Sequence, residues 1–141
     1  MGKLLCLVVA LVLLLPNLTV AQEVQTYVNR GIESSQRGQY EQAIGDFNQA
    51  LKQKPNDAAI LTYRGVVYYA KGQNDQAVKD FDQAIKSDPM FGRAYYQRGM
   101  VYETLGKFNK ALEDINRAKS LGYKVDMDFV EMIKRKMAGE K

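Results

Sequence analysis

One 17-residue pattern occurs three times in this chain, and this repetition constrains the fold more than any other feature. It reads QYEQAIGDFNQALKQKP at 39–55 and returns 34 residues later as QNDQAVKDFDQAIKSDP at 73–89. A weaker copy, KFNKALEDINRAKSLGY, follows at 107–123. A period of roughly 20 to 50 residues is typical of solenoids, in which each unit buries its apolar face only against its neighbours. The pattern therefore predicts a stack of small repeated units.

Helical signals fill each unit, and glycine and proline mark where its helices end. Gly38, Gly72 and Gly106 supply left-handed caps after the first helix. Pro55 and Pro89 end the second helix, because proline cannot continue a helix. The unit is thus helix, turn, helix, and the fold class is all-α. We predict first helices near 24–37, 58–71 and 92–105, and second helices near 40–53, 74–87 and 108–120.

These residues resemble the tetratricopeptide repeat (TPR) family. Its unit has an aromatic residue, a central glycine and a tyrosine in the first helix, then alanine, an aromatic, alanine and proline. The resemblance implies an α-solenoid of three helical hairpins, with departures at Ser34, Ile115 and Tyr123. The matching residues are Tyr27, Gly31, Gly38, Tyr40, Ala43, Phe47, Ala50 and Pro55 in the unit 24–57; Leu61, Gly65, Tyr68, Gly72, Ala77, Phe81, Ala84 and Pro89 in the unit 58–91; and Tyr95, Gly99, Tyr102, Gly106, Phe108, Ala111 and Ala118 in the unit 92–123.

An arginine precedes the central glycine of every unit, at a place where the family usually has leucine. An aspartate recurs with the same period, one residue before the core position of the second helix. We infer ion pairs between the two sets, either within one unit or with the unit before. A residue repeated at every equivalent place indicates a structural cause rather than a catalytic one. The arginines are Arg30, Arg64 and Arg98, and the aspartates are Asp46, Asp80 and Asp114.

A seventh helix is predicted near 127–137, in a C-terminal segment 124–141 that covers the last hairpin. Asp126 is a good N-cap, and Val125 and Val130 are placed to form a hydrophobic staple. The other face of the helix is basic, as a solubilising terminal cap requires. We prefer this interpretation to binding of an anionic membrane surface. The apolar stripe comprises Phe129, Val130, Ile133 and Met137, and the basic face comprises Lys134, Arg135, Lys136 and Lys141.

The segment 1–21 has the features of a secretory signal peptide. Lys3 precedes an apolar run at 4–15, and small side chains before Gln22 predict cleavage at that point. The repeats then occupy 22–123. We expect an exported protein, periplasmic or secreted. The alternative is anchoring in the inner membrane by an uncleaved N-terminal helix.

Composition narrows the classes of function. Lys and Arg outnumber Asp and Glu by 20 to 16, a net charge of +4, which is too small for the electrostatic footprint of a nucleic-acid-binding protein. The chain contains no histidine, and its one cysteine, Cys6, lies in the leader. It therefore lacks the commonest general base and the soft metal ligands. We expect no catalytic residue, metal, cofactor or nucleic-acid partner.

The TPR resemblance implies a binding site on the inner wall of the array, where one face of each first helix commonly receives a peptide. Some members of the family clamp a carboxyl terminus with Lys, Asn and Arg. The matching places here hold Val28, Ile32, Tyr63, Arg93 and Gln97, of which only Arg93 is suited to that role. The predicted groove residues are Val28, Asn29, Ile32, Thr62, Tyr63, Val66, Tyr69, Arg93, Tyr96, Gln97 and Met100.

Two functional hypotheses follow. The first is a scaffold in a bacterial-type cell envelope that holds an apolar peptide segment of a partner protein. The second is a self-assembling structural unit, a homo-oligomer without a dedicated peptide ligand. Under the first hypothesis Tyr69 and Tyr96 line the groove and anchor the partner. Their joint truncation is then expected to abolish binding and to leave the melting temperature nearly unchanged.

Overall fold

The computed structural model of the protein describes the backbone of residues 2–139 and the side chains of residues 19–139. The leader side chains, Cys6 among them, and Lys141 lie outside the described residues. Seven α-helices and no strand occur in the described part, which confirms the all-α class. The helices are α1 (Gly2–Gln36), α2 (Tyr40–Gln53), α3 (Ala58–Ala70), α4 (Asn74–Ser87), α5 (Gly92–Thr104), α6 (Phe108–Ser120) and α7 (Met127–Ala138).

The helices fall into two compact units, Met1–Pro55 and Asn56–Lys141. In the first unit α1 packs against α2 as an antiparallel hairpin. In the second unit α3 pairs with α4 and α5 pairs with α6, while α5 also packs on both α3 and α4. The helix α7 packs on α6. Each predicted hairpin is therefore present, and α7 covers the last one.

The start of the first helix differs from the prediction. We placed it near residue 24, but α1 begins at Gly2 and continues into the first repeat. The physical reason is the absence of a stop signal, because no glycine or proline occurs between residues 17 and 30. Over the residues searched, none of the helices is both long and apolar enough to span a bilayer.

The turn after α3 shows how glycine ends a first helix. Gly72 has a φ of 74°, a left-handed conformation that L side chains rarely adopt. The backbone N–H of Gln73 donates to the carbonyl of Tyr68 at 2.9 Å, and that of Gly72 donates to Tyr69 at 2.8 Å. These two bonds make a Schellman motif and satisfy carbonyls that the helix end leaves free. Gly38 and Gly106 have φ values of 73° and 70° and repeat the conformation.

The central glycine of each first helix allows close contact with the second helix. A Cβ placed on Gly65 would lie 2.6 Å from Cε1 of Phe81, which is shorter than any van der Waals contact. Phe81 is fully buried, between Ala77 and Ala84, which are buried as well. Any larger residue at position 65 would push the helices apart, so the glycine is required by packing. Gly31 against Phe47 and Gly99 against Ile115 give the corresponding distances of 2.7 and 2.9 Å.

The terminal helix α7 is capped and packed largely as predicted. The Asp126 carboxylate accepts a hydrogen bond from the backbone N–H of Asp128 at 2.9 Å, and this satisfies one of the free donors of the first turn. Val130 and Ile133 are buried in a cluster with Ala111 and Ile115 of α6. Met137 was expected to complete the apolar stripe, but it is 50% exposed. The helix therefore contacts α6 through its first half.

The predicted ion pairs are present, and each forms within a single repeat. Nε and Nη2 of Arg64 donate to the two carboxylate oxygens of Asp80 at 2.8 and 2.6 Å. Arg98 makes the same two-bond contact with Asp114, both distances being 2.7 Å. The hydrogen bond to Asp80 raises the pKa of Arg64, against the opposing effect of burial. These pairs join the first and second helix of a hairpin.

Candidate functional site

Two first helices of the second unit present a continuous surface of half-buried side chains. Tyr63, Val66 and Tyr69 lie three residues apart on α3, which places them on one side of the helix. Arg93, Gln97 and Met100 do the same on α5, which packs against α3. All six side chains are of intermediate exposure. We call this surface the α3/α5 face, defined by Tyr63, Val66, Tyr69, Arg93, Gln97 and Met100.

Side-chain contacts join the two helices at both ends of the α3/α5 face. Near the helix N-termini, the guanidinium carbon of Arg93 lies 4.8 Å from the centroid of the Tyr63 ring, within the range of a cation–π interaction. Near the C-termini, the hydroxyl groups of Tyr69 and Thr104 are hydrogen-bonded at 2.6 Å. Val66 and Met100 lie between these contacts. The face is thus aromatic and cationic at one end and apolar in the middle.

Two predicted groove residues are buried. Thr62 has no exposed surface, and its hydroxyl donates to the carbonyl of Ala58 at 2.7 Å. Val28 in the first unit is only 7% exposed. A ligand on the surface therefore has no access to either side chain. Both follow the helical spacing of the groove residues, and the sequence alone did not show that protein atoms cover them.

The expectation that Tyr96 lines the groove with little effect on stability is wrong. Its ring centroid lies 5.1 Å from that of Tyr123 and 6.3 Å from that of Phe129 on α7. It packs on the apolar cluster that contains Ile133. Burial raises the pKa of the Tyr96 hydroxyl above its usual value. Tyr96 is a packing residue between the third hairpin and α7.

The predicted groove residues of the first unit have different surroundings. Asn29 is exposed, and its side-chain oxygen accepts a hydrogen bond from Nε2 of Gln25 at 2.8 Å. Ile32 is half-buried. Of the three predicted groove residues on α1, counting the buried Val28, only Asn29 and Ile32 present side-chain atoms to solvent.

One contact near the site was missed by the sequence analysis. Nζ of Lys136 on α7 lies 2.5 Å from a carboxylate oxygen of Glu103 on α5. The Glu103 side chain is only 13% exposed, so α7 covers this part of α5. The basic residues of α7 were interpreted as solvated, and no pattern in the sequence pairs position 103 with position 136.

Helical hairpins with a glycine at each crossing, repeated every 34 residues, define a class of all-α repeat protein. Two sequence models agree with this class. The one described as TPR repeat matches residues 35–72 and 65–106, and the one described as tetratricopeptide repeat matches residues 92–121. The chain belongs to the tetratricopeptide repeat family. No curated protein sequence matches the chain significantly.

Solved TPR domains share the fold. The second TPR domain of human RPAP3, in complex with the HSP70 peptide SGPTIEEVD, is 26% identical, with a TM-score of 0.73 over 82% of this chain and 98% of that chain. The Sgt2 TPR domain from Aspergillus fumigatus is 27% identical, with a TM-score of 0.76 over 82% and 80%. The first TPR of Spaghetti (RPAP3), bound to the HSP90 peptide SRMEEVD, is 21% identical, with a TM-score of 0.77 over 83% and 94%.

Proposed function

We propose that this protein is a non-enzymatic scaffold that holds a peptide segment of a partner protein against the exposed faces of its first helices. The observation that carries the proposal is the α3/α5 face, where apolar and aromatic side chains remain half-exposed in the folded chain. Contiguous apolar surface on a folded domain usually marks an interaction site. TPR domains similar to this chain have been solved with bound peptides, which supports the same use of the fold here.

The residue types of the α3/α5 face suit peptide capture. Tyrosine offers a large contact area at a low cost in conformational entropy, and such residues dominate the energy of interfaces. Methionine is flexible and adapts to irregular partners. Because Tyr96 is a packing residue, we assign the role of anchor to Tyr69 and Tyr63, with Val66 and Met100 as the apolar surface between the two helices.

Selection of displayed peptides on the full-length chain tests the proposal. We expect selected peptides to slow amide hydrogen exchange in α3 and α5 and to lose affinity when Val66 and Met100 are both changed to aspartate. Met90→Asp is the matched control, since Met90 is 68% exposed and lies in the loop before α5. Circular dichroism of each variant establishes that its helices remain. Selected peptides that bind the double variant as tightly as the wild type would refute the proposal.

We also propose that the protein is exported, on the basis of the leader at 1–21. A bacterial cell envelope is the setting that we favour, with an anchored form as the alternative. Mass spectrometry of the chain recovered from a secreting bacterial host distinguishes these forms. A mature N-terminus at Gln22 in the soluble periplasmic fraction supports export with cleavage. An intact chain in the membrane fraction supports anchoring, and an intact chain in the cytosol contradicts both.

A further inference from the structure

Arg93 differs from the other arginines of the two first helices in the second unit. Arg64 and Arg98 each bond both oxygens of an aspartate. Arg93 has no carboxylate within salt-bridge distance among the described residues, and its recorded contact is the stack on Tyr63. The side chain is half-buried. The structure thus holds a partly desolvated guanidinium group whose N–H donors are not used by an acidic side chain of the chain itself.

The stack on Tyr63 prepares this group for a ligand. A cation held over an aromatic ring keeps its planar N–H fork free at the edge. Stacking also removes part of the rotamer freedom that a long side chain would otherwise lose on binding. A carboxylate matches the fork in geometry and charge, and such charge-assisted bonds are stronger than neutral ones.

The distance along the α3/α5 face limits what lies next to that carboxylate. Tyr63 and Tyr69 are six residues apart on α3, which corresponds to about 9 Å at 1.5 Å per residue. An extended peptide covers the same length in about three residues. Val66 and Met100 lie within this span, so an apolar side chain two or three residues from the carboxylate would reach them.

We propose that the ligand of the α3/α5 face is a peptide segment with one acidic side chain against Arg93 and an apolar side chain two or three residues away. This inference rests on the proposed function and specifies its ligand. The acidic group is a side chain within the segment, because a single cation on the face meets a single carboxylate. Binding does not require a free carboxyl terminus.

Two blocked tetrapeptides test the inference by NMR titration of the full-length chain: acetyl-Glu-Ala-Ala-Leu-amide and acetyl-Gln-Ala-Ala-Leu-amide. We expect the glutamate peptide to shift resonances of α3 and α5 and to bind at least about tenfold more tightly than the glutamine peptide, as loss of a bond to a charged group implies. Arg93→Gln should abolish the difference, and Arg93→Lys should retain part of it.

Arg117→Gln is the matched control. The Arg117 guanidinium is also stacked on a tyrosine, 5.9 Å from the Tyr95 centroid, but it lies on α6 outside the α3/α5 face. The preference for glutamate should survive this change. Equal binding of both peptides at α3 and α5 would overturn the acidic ligand and leave peptide capture intact. Absence of binding by either peptide, or shifts confined to other helices, would overturn the inference as well.

Discussion

The first and third repeats contain the same arginine–aspartate pair in different forms. Arg98 bonds both oxygens of Asp114, donates a third bond to Asp82 of α4 at 2.5 Å, and has a side chain that is only 18% exposed. Arg30 makes one bond of 2.5 Å to Asp46 and is 55% exposed. The second oxygen of Asp46 is buried without a hydrogen-bond partner in the described part of the chain. Only in the third repeat do additional contacts restrain the arginine.

A second position separates the two repeats in the same way. Val101 of the third repeat is fully buried in a cluster with Ala77 and Phe81 of the second repeat. The equivalent residue of the first repeat is Glu33, which is exposed and paired with Arg37 at 2.6 Å. A valine is needed where a preceding hairpin covers the helix, and a charge is tolerated where solvent does. Equivalent places in a repeat therefore have different energetic weight.

The largest expected effect comes from exchanging these two residue types. Val101→Glu would bury a carboxylate without a partner and should lower the free energy of unfolding by about 3–5 kcal/mol. Glu33→Val should change it by less than about 0.5 kcal/mol. Urea denaturation followed by circular dichroism measures both values. Similar losses for the two variants would remove the distinction between the repeats.

The arginines provide the next test. Arg98→Ala strands two aspartates, one of them buried, and should cost about 3 kcal/mol of unfolding free energy. Arg30→Ala removes a single bond of a solvent-exposed arginine, and we expect a loss of about 1 kcal/mol or less. The measurement is again the urea midpoint at a constant slope. An Arg30→Ala loss as large as that of Arg98→Ala would show that exposure does not determine the strength of the pair.

A glycine of the first repeat offers a smaller, stabilising change. Gly45 lies exposed within α2, and a Cβ built there meets no atom within 4 Å. Gly45→Ala should raise the free energy of unfolding by about 0.5–1 kcal/mol, because alanine favours the helix. Gly65→Ala is the contrasting variant, since its Cβ would overlap the Phe81 ring. A thermal melt in which Gly45→Ala lowers the midpoint would indicate an unrecognised packing role.

The smallest effect concerns alkaline pH. Burial raises the pKa of Tyr96 and of Tyr102 in the third repeat, whereas the first repeat has Ser34 in place of Tyr102. As the pH rises past about 10, the usual tyrosine pKa, the unfolded chain loses these protons before the folded chain does. The stability contributed by the neutral hydroxyls is therefore complete below pH 10 and is lost above it. Urea midpoints between pH 8 and 11 should fall more steeply for the wild type than for the Tyr102→Phe variant.

Local chemistry allowed much of the fold to be read from the sequence. Gly72 ends α3 because the left-handed turn favours glycine, and Pro89 prevents α4 from continuing. The pairing of Arg64 with Asp80 could also be inferred, because a charge repeated in the core requires a partner. The register of that pair could not, since partners within one repeat and in the repeat before have the same sequence spacing.

The fate of the groove residues was decided by tertiary structure. Tyr63, Thr62 and Tyr96 follow the same helical spacing, yet the first is half-exposed, the second is buried, and the third packs under α7. Periodicity identifies which positions are equivalent, but exposure depends on which neighbouring helix covers them. At the C-terminal end that neighbour is α7, which does not repeat the sequence of the helices before it. The side chains available to a ligand were therefore determined only when all the helices had packed.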